Sequence, residues 1–198
     1  MKTRNCLGNN YHGVVSVAFD STYFLASGSV KLWDKNSGQL RSLTGHANEV
    51  WAVAFDSDNM LASGSSDKTI KLWDKKTGGL LRTITGHGEA VRTVAFDTTH
   101  LLASGSWDET IKIWNKNYGD LLWNLTGHGD VVWSVAFSTN SILASGSQDK
   151  TIRLWDTKTG YLLKTLEGHG SIVFQVAFDS NNLLVSGSDD RTIKLWGT

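Results

Sequence analysis

The sequence predicts an all-β chain assembled from five copies of one four-stranded antiparallel unit, and three observations carry that expectation. Gly-His recurs at Gly45-His46, Gly86-His87, Gly127-His128 and Gly168-His169, 41 residues apart each time. The segment LASGS at 61–65 returns at 102–106 and 143–147, with LVSGS at 184–188, and Trp73, Trp114, Trp155 and Trp196 keep the same period. Within a copy, VWAVAF (50–55) and TIKLWD (69–74) alternate over short spans between turn residues, which is the periodicity of strands. Self-similarity at a period of about 20 to 50 residues means one supersecondary unit stacked on its own copies.

The elements follow in order. Residues 1–11 precede the repeat, and a first copy, about 12–45, runs from His12 through LASGS (25–29) to Trp33, seven residues shorter than the others. Aligning SGSSDKTIKLWD with SGSVKLWD shows the equivalents of Ser66 through Thr69 missing, with Val30 in the place of Ile70. An even deletion keeps each side chain on its face, and Gly28-Ser29 is expected to make a two-residue hairpin turn. The second copy, 46–86, reads as strands 50–55 and 59–65, a tight turn through Ser66-Asp67-Lys68, then strands 69–74 and 79–85. Copies 87–127 and 128–168 repeat it. The fifth, 169–198, stops after its third strand. A four-stranded sheet cannot bury both faces alone, so the copies must stack, and stacking about an axis gives a propeller.

This pattern resembles the WD-repeat β-propeller family, whose repeats open near Gly-His and close near Trp-Asp. Trp33-Asp34, Trp73-Asp74 and Trp155-Asp156 match the closing dipeptide, and Trp114-Asn115 and Trp196-Gly197 depart from it. Where family members often carry Ser-Pro-Asp-Gly, this chain has FDSDN, FDTTH, FSTNS and FDSNN, which implies a looser turn. The resemblance implies a single domain over 1–198, a five-bladed β-propeller of four-stranded antiparallel blades. An N-terminal segment commonly supplies the missing last strand in this family. Here residues 1–11 are the closing-strand candidate, but Asn9 stands where the other copies have Leu43, Ile84, Leu125 and Leu166. The first and fifth blades are expected to be the least stable, and an uncovered fifth-blade edge would invite another chain.

A histidine, a serine and an aspartate close in sequence are the ingredients of a hydrolase triad. A triad is needed once, yet four sets occur: His46, Ser63, Asp67, Trp73; His87, Ser104, Asp108, Trp114; His128, Ser145, Asp149, Trp155; and His169, Ser186, Asp190, Trp196. Repetition argues for architecture, and the resemblance implies a hydrogen-bonded network in each blade, with no catalytic residues. The first copy has His12, Ser27 and Trp33 but no turn aspartate.

Positions that change between otherwise matching copies are the informative ones for function. By the resemblance, the residues three and five after the histidine and the one before the turn aspartate line the top face. The five-after position reads Trp51, Arg92, Trp133, Phe174; the pre-aspartate position Ser66, Trp107, Gln148, Asp189; the three-after position Glu49, Ala90, Val131, Ile172. Indoles, a phenyl ring and a guanidinium on one face have the composition of a binding hot spot. Lys31, Lys71, Lys112, Arg153 and Lys194 share one strand position and read as solvated, snorkelling side chains. Trp123, on an outermost strand, reads as a rim contact.

Composition narrows the classes. Nineteen basic residues balance nineteen acidic ones, so no net field recruits nucleic acid or an anionic membrane. No apolar run approaches the roughly 20 residues of a spanning helix, MKTRNCLGNN has no signal-peptide core, and the lone Cys6 cannot form an internal disulfide. A soluble, intracellular, cytoplasmic protein is expected. No metal-binding, phosphate-binding or nucleotide motif stands outside the repeat, so no cofactor is expected. The expected function is a noncatalytic protein- or peptide-binding scaffold. The alternatives are a carbohydrate- or small-ligand-binding propeller, since exposed indoles stack on sugars, and a fragment of a larger propeller in a multidomain signalling protein.

Overall fold

The computed structural model describes residues 16–19, 24–27, 30–34 and 37–197, and every regular element among them is a strand. The first sheet holds β1 (Val17–Phe19), β2 (Phe24–Ser27), β3 (Lys31–Asp34) and β4 (Leu40–Ser42). The second holds β5 (Val50–Phe55), β6 (Met60–Ser65), β7 (Ile70–Asp74) and β8 (Leu80–Ile84). The third holds β9 (Val91–Phe96), β10 (Leu101–Ser106), β11 (Ile111–Asn115) and β12 (Leu121–Leu125). The fourth holds β13 (Val132–Phe137), β14 (Ile142–Ser147), β15 (Ile152–Asp156) and β16 (Leu162–Leu166). The fifth has three strands among the described residues, β17 (Val173–Phe178), β18 (Leu184–Ser188) and β19 (Ile193–Trp196). In each sheet consecutive strands pair antiparallel, and the strand limits of the second sheet fall within one residue of those the alternation predicts.

Local chemistry shapes the turns. The segments that replace Ser-Pro-Asp-Gly are not loose, because their first polar side chain ties them. Asp56 Oδ1 accepts from the amides of Asp58 and Met60 at 3.0 and 2.8 Å, and Asp97 and Asp179 do the same in their sheets. Ser138 Oγ takes that role in the fourth. Such side-chain acceptors mimic a backbone turn. In the next turn Lys68, Glu109, Lys150 and Arg191 are left-handed, with φ of 69, 66, 72 and 66°. In the shortened first copy the left-handed residue is Val30, φ 44°, which is nevertheless buried among Leu32, Leu43 and Val53. The Gly28-Ser29 turn, His12 and the closing strand expected within 1–11 lie outside the described residues.

The inner strands contain a break in the alternation. Val50 and Val53 are both buried against the preceding sheet, as are Val91 and Val94, although residues three apart point to opposite faces of a regular strand. A β-bulge resolves this: Val50 pairs with Ser65 and Ala52 with Gly64, which leaves Trp51 unpaired. Arg92, Trp133 and Phe174 are passed over in the same way in β9, β13 and β17. Bulges re-aim a side chain, here four times at one position.

The sheets pack in chain order through their first strands, β1 on β5, β5 on β9, β9 on β13 and β13 on β17. Each junction is an apolar cluster, for example Ile70, Leu72 and Ile84 of the second sheet against Val91, Val94, Leu102 and Trp114 of the third. Burying one such side chain stabilises by about 1.5 to 3 kcal/mol. Close approach is enabled by the glycine of LASGS: a Cβ on Gly64, Gly105 or Gly146 would lie 2.7, 2.6 or 2.7 Å from a valine methyl of the next sheet. Lys116 adds a polar clamp, its Nζ 3.0 Å from Asp56 Oδ2 and 3.3 Å from Asp58 Oδ2 across the junction between second and third sheets. The shared basic position is half-buried in Lys31, Arg153 and Lys194, but in the second and third sheets it is not solvated as expected. Lys71 and Lys112 are buried, their ammoniums donating to Thr83 Oγ1 at 2.9 Å and Asn124 Oδ1 at 2.5 Å on the adjacent outer strand.

The two ends of the stack differ from its middle. Val17 is 53% exposed, whereas Val53, Val94, Val135 and Val176 at the same position are buried. Ile193 and Leu195 are 76% and 68% exposed, whereas Ile70 and Leu72 of β7 and Ile111 and Ile113 of β11 are buried. A Cβ on Gly187 would meet nothing within 4 Å among the described residues. Gly105→Ala should therefore lower stability by about 1 to 3 kcal/mol through overpacking, while Gly187→Ala should leave the denaturation midpoint almost unchanged. Equal losses in both variants would mean that the outer face of the fifth sheet is covered.

Candidate functional site

Each turn aspartate organises one polar chain. His46 Nδ1 lies 2.8 Å from Asp67 Oδ2, His46 Nε2 lies 2.7 Å from Ser63 Oγ, and the Trp73 indole N–H donates to Ser63 Oγ at 2.8 Å. The same three links join His87, Asp108, Ser104 and Trp114; His128, Asp149, Ser145 and Trp155; and His169, Asp190, Ser186 and Trp196. An ionised carboxylate can only accept, so Nδ1–H donates to aspartate, Nε2 accepts from the serine hydroxyl, and the serine oxygen accepts from the indole. No member is left over. All four serines are buried.

The threonine two residues after each aspartate belongs to the same assembly. Thr69 donates to Asp67 Oδ1 from its amide at 3.0 Å and its hydroxyl at 2.7 Å, and the Ala47 amide donates to Oδ2 at 2.9 Å. Sequence reasoning passed over these threonines, although Asp-x-Thr recurs at 67–69, 108–110, 149–151 and 190–192. Burial would raise the Asp67 carboxyl, but the bonds from Thr69, Ala47 and His46 outweigh it and hold the group well below the usual carboxylate range. Asp108 and Asp149 are held down likewise, chiefly by His87 and His128 against the same burial. Burial pushes the His46 imidazole below its ordinary value, with Asp67 opposing only in part.

The variable positions meet on the side of the sheets where these turns lie. The amides of Ser66, Trp107, Gln148 and Asp189 donate to the carbonyls of Glu49, Ala90, Val131 and Ile172, so the pre-aspartate and three-after positions are neighbours in every repeat. The four bulge residues form one continuous stack from sheet to sheet. The Arg92 guanidinium carbon sits 4.8 Å from the Trp51 ring centre and 4.6 Å from that of Trp133, and Trp133 meets Phe174 edge to face at 5.1 Å. Trp51 Nε1 donates to Ser66 Oγ at 2.5 Å and Trp133 Nε1 to Gln148 Oε1 at 3.3 Å. Gln148 in turn donates to Asp130, and Ser171 donates to Asp189. Trp51, Arg92 and Trp133 are half-buried in the stack, Trp107 and Phe174 are 46% and 42% exposed, and Glu49 and Asp189 are exposed. Trp123 packs over Gly160 and borders a groove of about 580 Å³ with Leu122, His100, Phe137 and Thr139. Among the described residues no cluster of histidine, cysteine or carboxylate side chains could hold a metal, and no helix is long and apolar enough to cross a membrane.

The sequence profile of the family described as WD domain, G-beta repeat matches residues 37–74, 78–115, 119–156 and 160–197. The chain belongs to the WD-repeat family. Each matched WD repeat supplies the outer strand of one sheet and the first three strands of the next, so neighbouring sheets are stitched together by the repeat itself. Among solved structures, the crystal structure of the computationally designed Ika8 protein is similar, at 39% identity and a TM-score of 0.83 over 92% of this chain and 57% of that chain. This chain thus spans little more than half of Ika8. The computationally designed Ika4 protein is similar at 42% identity and a TM-score of 0.72, over 78% of this chain and 94% of that one. Comparison with curated protein sequences gave no significant match.

Two outcomes test the polar chain. Asp108→Ala strips acceptors from His87, Gly88 and Thr110 and should cost about 1 to 3 kcal/mol in a denaturant titration. Acid should also destabilise the fold in two stages. Folded His46 resists a proton that the unfolded imidazole accepts near its ordinary 6.5, so stability falls as pH drops through that value. The folded aspartates stay ionised where unfolded ones protonate near 3.8, so a second, steeper loss begins there. A melting temperature that rises between neutral pH and pH ~4 contradicts this assignment.

Proposed function

We propose that this WD-repeat chain is a noncatalytic scaffold, a single five-bladed propeller domain, that binds a protein or peptide on its top face. The observation that carries the reading is the stack Trp51–Arg92–Trp133–Phe174. The WD repeat requires no particular residue at that position, since the same bulge carries Trp in two copies, Arg in one and Phe in another. Ordering four large side chains costs conformational entropy, and the outcome is a rigid platform flanked by exposed Trp107, Glu49 and Asp189, with Gln148 at its edge. Rigid aromatics that need little further ordering are the anchors of binding hot spots. WD-repeat proteins are generally non-enzymatic interaction scaffolds, and a histidine–serine–aspartate set used four times as a turn brace supports that reading here.

Neutral net charge and a lone cysteine support a cytoplasmic protein that avoids nucleic acid and membrane. The exposed Ile193 and Leu195 on the outermost described strand of the fifth sheet support self-association there. One observation favours a carbohydrate or small ligand as a second reading, namely the groove beside Trp123 with its hydroxyl, imidazole and indole lining.

Trp107→Ala and Phe174→Ala should each weaken a peptide ligand by about 2 kcal/mol while leaving the melting temperature nearly unchanged, because both rings are exposed. Selection from a displayed peptide library supplies the ligand and a glycan array the counter-test. Glycan binding abolished by Trp123→Ala, with no peptide selected, would replace the first reading by the second.

A further inference from the structure

We propose that Arg92 is the anion-recognition group of the top face, taking an aspartate or glutamate carboxylate of the bound peptide on its in-plane N–H donors; this rests on the top-face reading above. The guanidinium carbon lies over the Trp51 ring at 4.8 Å and over the Trp133 ring at 4.6 Å. The slot is held from both sides, since Trp51 is tied to Ser66 and Trp133 to Gln148. The N–H donors of a guanidinium point outward in its own plane, and the ring contacts leave them without a conventional acceptor.

Those donors have no acceptor among the described residues; the two ring contacts are the interactions Arg92 makes there. The reason can be traced to sequence. In the second and fourth sheets the pre-aspartate residue accepts from the bulge residue, but in the third that residue is Trp107, whose indole donates and cannot accept. The repeat that carries the cation is the one whose neighbouring position offers it nothing.

Among the acids near the top-face positions, Asp130 and Asp189 accept from Gln148 and Ser171, Glu89 pairs with Lys68, and Glu49 has a partner of its own. Burial between the indoles lowers the guanidinium's pKa, as expected of a charge partly stripped of solvent without a counter-ion. It stays protonated at any ordinary pH. A carboxylate matches its planar fork with two parallel charge-assisted bonds, which a neutral hydroxyl or amide cannot do. Exposed Trp107 beside it favours a large apolar residue next to the acid.

The test is selection of random displayed peptides on the intact wild-type chain, followed by binding measurements with the selected peptides made synthetically and blocked at both ends. Enrichment of Asp or Glu at one position is expected. Converting that residue to Asn or Gln should weaken binding to wild type about tenfold or more, and the same change should have little effect on Arg92→Gln. The peptide substitution leaves the protein untouched, so it reads the contact even if Arg92→Gln proves poorly folded. Peptides without an acidic residue, or an acid whose removal costs nothing, overturn the anion assignment while leaving the top-face reading intact, provided Trp107→Ala still weakens them. Failure to enrich any peptide, or binding indifferent to Trp107→Ala, overturns the top-face reading and the anion site with it.

Discussion

The carboxylate of Asp67 accepts four hydrogen bonds at once, from His46 Nδ1, the Ala47 amide, and the amide and hydroxyl of Thr69. Much of the second sheet depends on that convergence. It joins the loop that enters β5 to the turn between β6 and β7, orients the imidazole, and thereby satisfies Ser63 and the Trp73 indole. The ring of Trp73 belongs to the apolar cluster between the first and second sheets. One side chain therefore closes the polar network and fills the hydrophobic junction. The Gly-His glycine permits the fit: Gly86 has φ 144°, and a Cβ there would lie 3.0 Å from the Trp114 ring.

The order of strands, their limits and the partners within each polar set were legible because alternation, turn residues and a fixed period all speak locally. What escaped was decided by register and by distant segments. Lysine in a strand is usually solvated, and only the neighbouring Thr83 and Asn124 make burial of Lys71 and Lys112 tolerable. The Lys116–Asp56 pair joins residues sixty positions apart and no pattern announces it. The bulge is a different case, because Val-x-x-Val in β5, β9, β13 and β17 already breaks the period of two.

The bulge also separates two tasks within a single strand. On either side of it, the valines meet the preceding sheet while small residues such as Ala52 and Ala54 meet the following one. The bulged residue escapes both faces and can change from Trp to Arg to Phe without disturbing the packing. That the bulge position varies between copies was readable from the repeat, but the mutual stacking of its residues was not, since it arises between residues 41 positions apart that become adjacent only when sheets stack.

The unequal ends of the stack bear on its dynamics. Opening an inner sheet breaks two interfaces, whereas the first and fifth break one among the described residues, and in a quasi-one-dimensional array local opening free energy follows the number of neighbours. Amide protons of β5–β16 would then exchange later than those of β1–β4 and β17–β19. The aromatic stack spans these sheets, its Phe174 end on a sheet with one described neighbour and its guanidinium on the central sheet, which has two. The platform is thus stiffest where its charge sits and most adaptable at its rim.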